Sequence, residues 1–100
     1  MFSSADATRI ILSALENLNA ELGPERAVPV RSDTALFGMT ASIDSLSLVS
    51  LIVDVETALS AEYGYDISLT DDRAMSRPVS PFTTVATLTD YVMELAGQRA

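Results

Sequence analysis

Residues 44–63 read DSLSLVSLIVDVETALSAEY, and their apolar pattern is the starting point for predicting the fold. The apolar residues of this stretch recur at the three- and four-residue spacing of a helix, and the main stripe consists of Leu48, Ile52, Val55 and Leu59. Val49 and Leu51 widen that stripe. Leu46 and Val53 fall partly outside the arc that it would bury. The stretch therefore predicts one long helix whose surplus apolar side chains are covered either by the preceding loop or by a partner.

The N-terminal part predicts another long helix and a long loop. The helix runs over about residues 4–22, and Gly23-Pro24 is a strong signal for its end. Its apolar stripe consists of Ile11, Leu15, Leu18 and Leu22. The loop covers about residues 24–43, and Leu36 and Phe37 are expected to pin it onto the core.

The C-terminal part predicts a short third helix and a longer fourth one. Residues 70–75 form the short helix, with Thr70-Asp71-Asp72 as its cap, and residues 77–81 form an irregular connector. The fourth helix begins near Thr84, and Gly97 fits the position just after its last residue. Its apolar positions are Val85, Leu88, Tyr91 or Val92, and Leu95. Since no segment alternates like a strand, the whole chain is predicted to be one all-α domain, a four-helix bundle.

The chain has very little reactive chemistry of its own. It contains no Cys, His, Lys or Trp, which excludes thiolate catalysis, imidazole acid–base catalysis and lysine Schiff bases. Zero cysteine also removes any disulfide framework and fits a reducing compartment. No acid-rich loop has the spacing of a calcium site. We therefore predict no catalytic residue, no metal site and no enzymatic activity.

Acidic residues dominate the charge. The 14 acids and 6 arginines give a net charge of −8, which argues against binding to nucleic acid or to anionic membrane surfaces. Residues 40–72 contain seven acids and no base, a pattern that either attracts basic partners or simply keeps the surface solvated. The chain shows no signal-peptide pattern and no apolar run of bilayer length. A cytoplasmic monomer without membrane insertion is expected.

Ser45 occupies the predicted first turn of the helix over residues 44–63. Asp44 is well suited to be the N-cap, with its carboxylate accepting from amides of the first turn. Free amides and the positive end of the helix dipole favour an anion at this position, so a phosphoester on Ser45 would be well placed. An acid followed by serine is also common capping chemistry, and the motif alone does not distinguish the two interpretations.

A wider pattern supports modification of Ser45. The chain resembles the acyl carrier protein family over essentially its whole length. The matching blocks, in chain order, are Leu36-Phe37-Gly38, Ile43-Asp44-Ser45-Leu46, Leu51-Ile52, Glu56, Phe82-Thr83-Thr84-Val85 and Asp90-Tyr91-Val92. The attachment tripeptide is short, but its register with the other blocks makes the resemblance specific.

The resemblance implies a four-helix carrier with a covalent prosthetic group. Ser45 matches the residue that receives 4′-phosphopantetheine from coenzyme A. Asp44 matches the acid that helps present this serine to a phosphopantetheinyl transferase, and Leu46 completes the attachment tripeptide. The thiol that the chain lacks would come from the prosthetic group. A growing acyl chain would shelter between helices, against an apolar lining of Ile52, Val55 and Leu59.

The resemblance also implies a docking surface for partner enzymes. Leu46 and Val53 match exposed apolar positions of that surface, and Asp54 and Glu56 supply its negative charge. The implied partners are the transferase and acyl-loading and acyl-processing enzymes with basic docking patches. The chain is expected to act as a free-standing carrier in fatty-acid, specialised lipid or polyketide biosynthesis.

Two departures leave alternatives open. Ser47 and Ser50 stand where fatty-acid carriers have acids, and residues 71–81 form a longer segment than is usual in the family. A peptidyl or aminoacyl carrier, including a D-alanyl carrier, therefore remains an alternative, as does an acidic helical adaptor whose Ser45 is never modified. A hydrolase with Ser45 as nucleophile is disfavoured, because the chain has no His or Lys to activate it.

Overall fold

The computed structural model describes residues 3–25, 27–36, 43–69 and 82–99. Within them the chain forms no strand and three helices, α1 (Ser4–Leu22), α2 (Ser45–Tyr63) and α3 (Val85–Arg99). The predicted all-α class is confirmed for this part of the chain.

Three sequence-based predictions lie outside the described residues. They are the short third helix over residues 70–75, the connector over residues 77–81 and the anchoring role of Phe37. The helix predicted as the fourth is therefore α3 of the structure, and a bundle of four helices is not confirmed by the described residues.

Local signals set both ends of α1. Ser3 Oγ accepts a hydrogen bond from the Asp6 N–H at 3.3 Å, and Asp6 Oδ2 accepts one from the Ser3 N–H at 3.0 Å. This reciprocal pair is a capping box. At the other end Gly23 adopts a φ of +86°, which glycine tolerates because it has no Cβ, and its N–H donates to the Asn19 carbonyl at 3.0 Å. The buried face consists of Ala7, Ile10, Ile11, Ala14, Leu15 and Leu18.

The helix predicted over residues 44–63 forms as α2, with Asp44 as its N-cap. Asp44 Oδ1 accepts from the Ser47 N–H at 2.7 Å. Gly64 ends the helix in the left-handed conformation, with φ of +70°, and its N–H donates to the Ser60 carbonyl at 3.0 Å. The buried face contains the predicted stripe and consists of Leu48, Leu51, Ile52, Val55 and Leu59.

α3 begins as predicted and continues beyond the predicted end. Thr84 and Thr87 cap its start reciprocally, each hydroxyl accepting from the main-chain N–H of the other at 2.9 and 3.2 Å. The prediction that Gly97 follows the last residue was wrong, since the helix continues to Arg99. A glycine inside a helix costs about 1 kcal/mol relative to alanine. Burial of Leu95 in the preceding turn holds this end of α3 on the core and offsets that cost.

The loop after α1 is tied back to that helix. The Asn19 side-chain amide donates to the Val28 carbonyl at 2.9 Å and accepts from the Val28 N–H at 2.9 Å. Further along, Thr34 Oγ1 donates to the Pro29 carbonyl at 2.7 Å. These bonds satisfy main-chain groups that no helix or sheet would otherwise pair.

The same loop also pairs with the start of α3. The Leu36 N–H donates to the Thr83 carbonyl at 2.9 Å, beside an isolated antiparallel bridge between Ala35 and Thr84. The Thr34 carbonyl accepts the first N–H of α3 at 3.1 Å. Leu36 is fully buried, which confirms the prediction that it pins the loop onto the core.

The three helices share one apolar core, in which α1 packs against both α2 and α3. Thr8 and Thr89 place their hydroxyl oxygens 3.3 Å apart across the contact between α1 and α3. Across the contact between α1 and α2, the Arg9 guanidinium donates to Glu62 Oε1 at 3.0 Å and to the Tyr63 hydroxyl at 3.4 Å. None of the described helices has the length and apolarity needed to cross a bilayer.

Candidate functional site on the second helix

The start of α2 is a capped helix N-terminus with a serine as its first residue. Asp44 is exposed and holds the first turn through its bond to the Ser47 N–H. Ser45 is the first helical residue, and its side chain lies outside the described part of the structure. The first turn of α2 carries no acid beyond its Asp44 cap, and the N-terminal end of a helix favours an anion.

An exposed apolar stripe begins one residue after Ser45. Leu46, Val49 and Val53 are 80%, 54% and 51% exposed, and they are the large apolar side chains that the described residues leave exposed. Their spacing of three and four residues puts them on one face of α2. We name these three residues the α2 stripe. The described part of the preceding loop, residues 27–36, therefore does not cover Leu46 and Val53.

Val49 was expected to widen the buried stripe, and this expectation was wrong. It lies three residues after Leu46 and four before Val53, so it shares their solvent-facing side of the helix. The opposite side is already filled by the buried residues of α2. The 46–49–53 spacing was visible in the sequence, but spacing alone did not show which side of a largely apolar helix would face the core.

The two predicted acids of the docking surface lie on opposite flanks of the stripe. At about 100° per residue, Asp54 follows Val53 on one side and Glu56 lies on the other. Asp54 and Glu56 are both partly buried. Glu56 Oε2 accepts a hydrogen bond from the Leu69 main-chain N–H at 2.7 Å. Glu56 therefore has a structural contact that the sequence did not indicate.

A groove that the sequence did not predict lies beyond the stripe, with a volume of about 670 Å³. We name it the 65–68 groove. One wall is the second half of α2 and the other is the chain that follows Gly64. Among the described residues, its lining consists of Glu56, Thr57, Ser60, Ala61, Tyr65, Asp66, Ile67 and Ser68. The Tyr65 ring stacks on the Tyr63 ring, with centroids 5.8 Å apart and planes 22° apart.

The predicted lining for an acyl chain is part of the packed core. Ile52, Val55 and Leu59 are 4%, 0% and 0% exposed. Side chains of α1 and α3 belong to the same cluster. An acyl chain of any length can lie against these three residues only if neighbouring side chains move aside, since protein interiors are close-packed.

The start of α2 thus brings the predicted attachment residue and the exposed stripe onto one continuous length of helix. No group of three or more potential metal ligands is found in the described part of the chain. Comparison of the chain with protein-family models, with curated proteins and with solved structures found no match. Any functional proposal must therefore rest on the residues of this chain and on where the structure places them.

Proposed function

We propose that the chain is an acyl carrier protein, a non-catalytic protein that holds acyl groups as thioesters on 4′-phosphopantetheine attached to Ser45. The observation that carries the proposal is the start of α2, where Ser45 follows the Asp44 cap and precedes the exposed α2 stripe. The sequence blocks that resemble this family supply the chemistry of the modification.

The helix start suits a phosphodiester. In the loading step, the Ser45 hydroxyl oxygen forms a bond to the phosphorus of the phosphopantetheinyl group of coenzyme A, and adenosine 3′,5′-bisphosphate leaves. The serine proton passes to a base of the transferase. The new diester keeps one negative charge at the N-terminal end of α2, where the helix dipole favours it.

The α2 stripe suits short-lived contact with partner enzymes. Three exposed apolar side chains provide a small patch, and Asp54 and Glu56 flank it with negative charge. Small interfaces with complementary charge give fast association and modest affinity, which a protein that visits several enzymes requires. The transferase and acyl-processing enzymes with basic patches are the proposed partners, in a cytoplasmic setting that keeps the thiol of the arm reduced.

The proposal includes a four-helix bundle and an internal place for cargo. The additional helix would come from residues 70–75, which lie outside the described residues. Because Ile52, Val55 and Leu59 are packed in the core, cargo is accommodated by displacement of neighbouring side chains. A peptidyl or aminoacyl carrier, including a D-alanyl carrier, remains the alternative within the same class.

A different class of function, an adaptor with an unmodified Ser45, is supported by the α2 stripe. The stripe is exposed whether or not the serine carries a group, and an apolar patch flanked by charge is typical of a protein-binding surface. The adaptor predicts partner binding by the protein as expressed, with no requirement for coenzyme A.

Intact-mass measurement tests the carrier proposal. The folded protein is incubated with coenzyme A, Mg²⁺ and a broad-specificity phosphopantetheinyl transferase. We expect the mass to increase by one phosphopantetheinyl group, and the increase to disappear in Ser45→Ala. Ser47→Ala and Ser50→Ala are matched controls in the same helix and should be loaded. A folded protein that gains no mass contradicts the proposal and favours the adaptor.

A further inference from the structure

We propose that residues 32–36, which we name the strap, are a detachable cap for α3, so that the strap and the first turn of α3 open together while the rest of the helical core stays folded. The strap lies in the loop after α1, and its main-chain groups bond to the start of α3. Its opening does not depend on a prosthetic group at Ser45.

The first amides of α3 are bound by residues far earlier in the chain. The Val85 N–H donates to the Thr34 carbonyl at 3.1 Å. The Ala86 N–H donates to the Ser32 carbonyl at 2.8 Å. The first four N–H groups of a helix have no partner within the helix and need one elsewhere. The caps of α1 and α2 come from residues within one turn, whereas the first turn of α3 takes two of its acceptors from the strap.

A third bond completes a paired contact between the strap and the start of α3. The Leu36 N–H donates to the Thr83 carbonyl at 2.9 Å. This bond and the one to the Thr34 carbonyl flank the isolated antiparallel bridge between Ala35 and Thr84. Because the two bonds lie on either side of a single bridge, movement of the strap away from α3 breaks both of them. The strap and the first turn of α3 therefore form one unit.

The side chain of Thr34 shapes the strap. This residue is 6% exposed, and its hydroxyl donates to the Pro29 carbonyl at 2.7 Å and accepts from the Arg31 N–H at 3.2 Å. The Thr34 N–H donates to the Arg31 carbonyl at 3.2 Å and closes the turn. These bonds hold the turn in the conformation in which the carbonyls of Ser32 and Thr34 reach α3. Thr34 is thus a positioning residue for the cap.

The strap is held by fewer buried groups than the helices are. Its buried residues are Thr34 and Leu36, whereas Ser32 and Asp33 are exposed. Leu36 is the one large apolar side chain that the strap places in the core, while each helix buries a whole face. Regions with few buried apolar contacts open at a lower free energy than the core does. The strap should therefore detach more often than the helices separate.

Detachment exposes apolar surface at the start of α3. Val85 and Leu36 are both fully buried and belong to the core that the three helices share. Once the strap leaves, two amides in the first turn of α3 lose their acceptors, so the turn frays. The apolar surface around Val85 then becomes accessible to solvent while α1 and α2 remain folded.

Native-state hydrogen exchange tests the proposal. Exchange is followed by NMR on protein that has not been loaded, in a series of urea concentrations below the unfolding transition. We expect the amides of Leu36, Val85 and Ala86 to have protection factors within about threefold of one another and the same dependence on urea. Their protection should be at least about tenfold below that of Leu15 and Val55, which are buried in α1 and α2.

Two valine variants localise the effect. Thr34→Val keeps the shape of the side chain and removes its hydroxyl, which bonds to neither Val85 nor Ala86. It should nevertheless lower the protection of both amides at least about threefold, because the turn that presents their acceptors is loosened. Thr89→Val is the matched control at another threonine that is 6% exposed, where the hydroxyl pairs with Thr8. It should leave the protection of Val85 and Ala86 within about twofold of the wild type.

Several results would overturn the proposal. A Leu36 amide whose protection differs more than about threefold from that of Val85 would show that the strap and α3 open separately. Protection of the three amides within about tenfold of that of Leu15 would show that the strap opens only with the whole protein. Exchange too fast to measure would mean that the cap is not formed, and equal effects of the two valine variants would remove Thr34 from its positioning role.

Discussion

The Glu56 carboxylate accepts a hydrogen bond from the Leu69 main-chain N–H at 2.7 Å, and this bond fastens the chain that follows α2 back onto the helix. Leu69 is fully buried, and Ile67, two residues earlier, is 7% exposed. The bond thus positions two apolar side chains in the core and one wall of the 65–68 groove at the same time. An acid that the sequence suggests only for partner binding is also part of the fold.

Removal of this bond should destabilise the protein. Hydrogen bonds to a charged group contribute about 1.5–3 kcal/mol, so we expect Glu56→Ala to lower the free energy of unfolding by that amount and Glu56→Gln by about 1 kcal/mol, since the amide oxygen can still accept. Urea denaturation measures the change, and faster hydrogen exchange at the Leu69 amide locates it. Glu62→Ala is the control, because its ion pair with Arg9 is solvent-exposed and exposed ion pairs contribute little to stability. Equal stability of the two alanine variants would contradict the structural role of Glu56.

Asp44 has two proposed roles that one pair of variants separates. As an N-cap it should contribute about 1 kcal/mol, so Asp44→Ala should lose that stability while Asp44→Asn, an equally good cap, should keep it. If the negative charge also presents Ser45 to the transferase, loading of Asp44→Asn should slow although its melting temperature is unchanged. Normal loading of a stable Asp44→Asn would limit Asp44 to capping.

The α2 stripe should matter for partner binding and not for stability. Val49→Ser removes an exposed side chain, so its free energy of unfolding should stay within about 0.5 kcal/mol of the wild type. In the loading assay, the KM of the transferase for Val49→Ser should rise up to about tenfold, which corresponds to the loss of an interface contact worth about 1.4 kcal/mol. Leu51→Ala, at a fully buried position of the same helix, should instead cost about 2–5 kcal/mol of stability. An unchanged KM in Val49→Ser would remove Val49 from the docking surface.

The capping box of α1 should make stability depend on pH at the acidic end. The hydrogen bond from the Ser3 N–H, followed by the one from the Ser3 hydroxyl, holds the pKa of Asp6 below its ordinary value of 3.8. A group whose pKa is lowered on folding stabilises the protein above its unfolded pKa and loses that effect as the pH falls through the folded pKa. Thermal unfolding should therefore show the wild type more stable than Asp6→Asn at pH 5–7, with the difference shrinking below pH 3.8. A stability difference between the wild type and Asp6→Asn that stays constant or grows as the pH falls below 3.8 would contradict a lowered pKa of Asp6.

The helix boundaries were largely predictable because they depend on neighbours three to five residues away. Ser3 with Asp6, Gly23, Asp44 with Ser47, and Gly64 all act within one turn of the residues they cap. Such signals can be read in a linear sequence. Gly97 shows the limit of such local signals. Glycine commonly ends a helix, but the preceding turn packs on the core and α3 continues to Arg99.

The candidate site was predictable only in part. Leu46, Val53 and the Asp44-Ser45 helix start were identified from the sequence, and the structure exposes both of these apolar side chains and places the acid as the cap. Val49 was assigned to the buried stripe, and neither Tyr65 nor Asp66 was assigned to a particular site. Their placement depends on which face of α2 the other elements bury and on where the chain runs after Gly64.

Three long helices, their caps, the acidic charge and the lack of reactive side chains could be predicted from the amino-acid sequence, because each depends on composition or on contacts within one helical turn. Tertiary packing, by contrast, places Val49 in solvent, bonds Glu56 to the Leu69 N–H, and joins Thr34 and Leu36 to the start of α3. These contacts join residues far apart in the chain, or depend on which side of a helix meets the core. They form only when all the elements pack together and each buried polar group finds its partner.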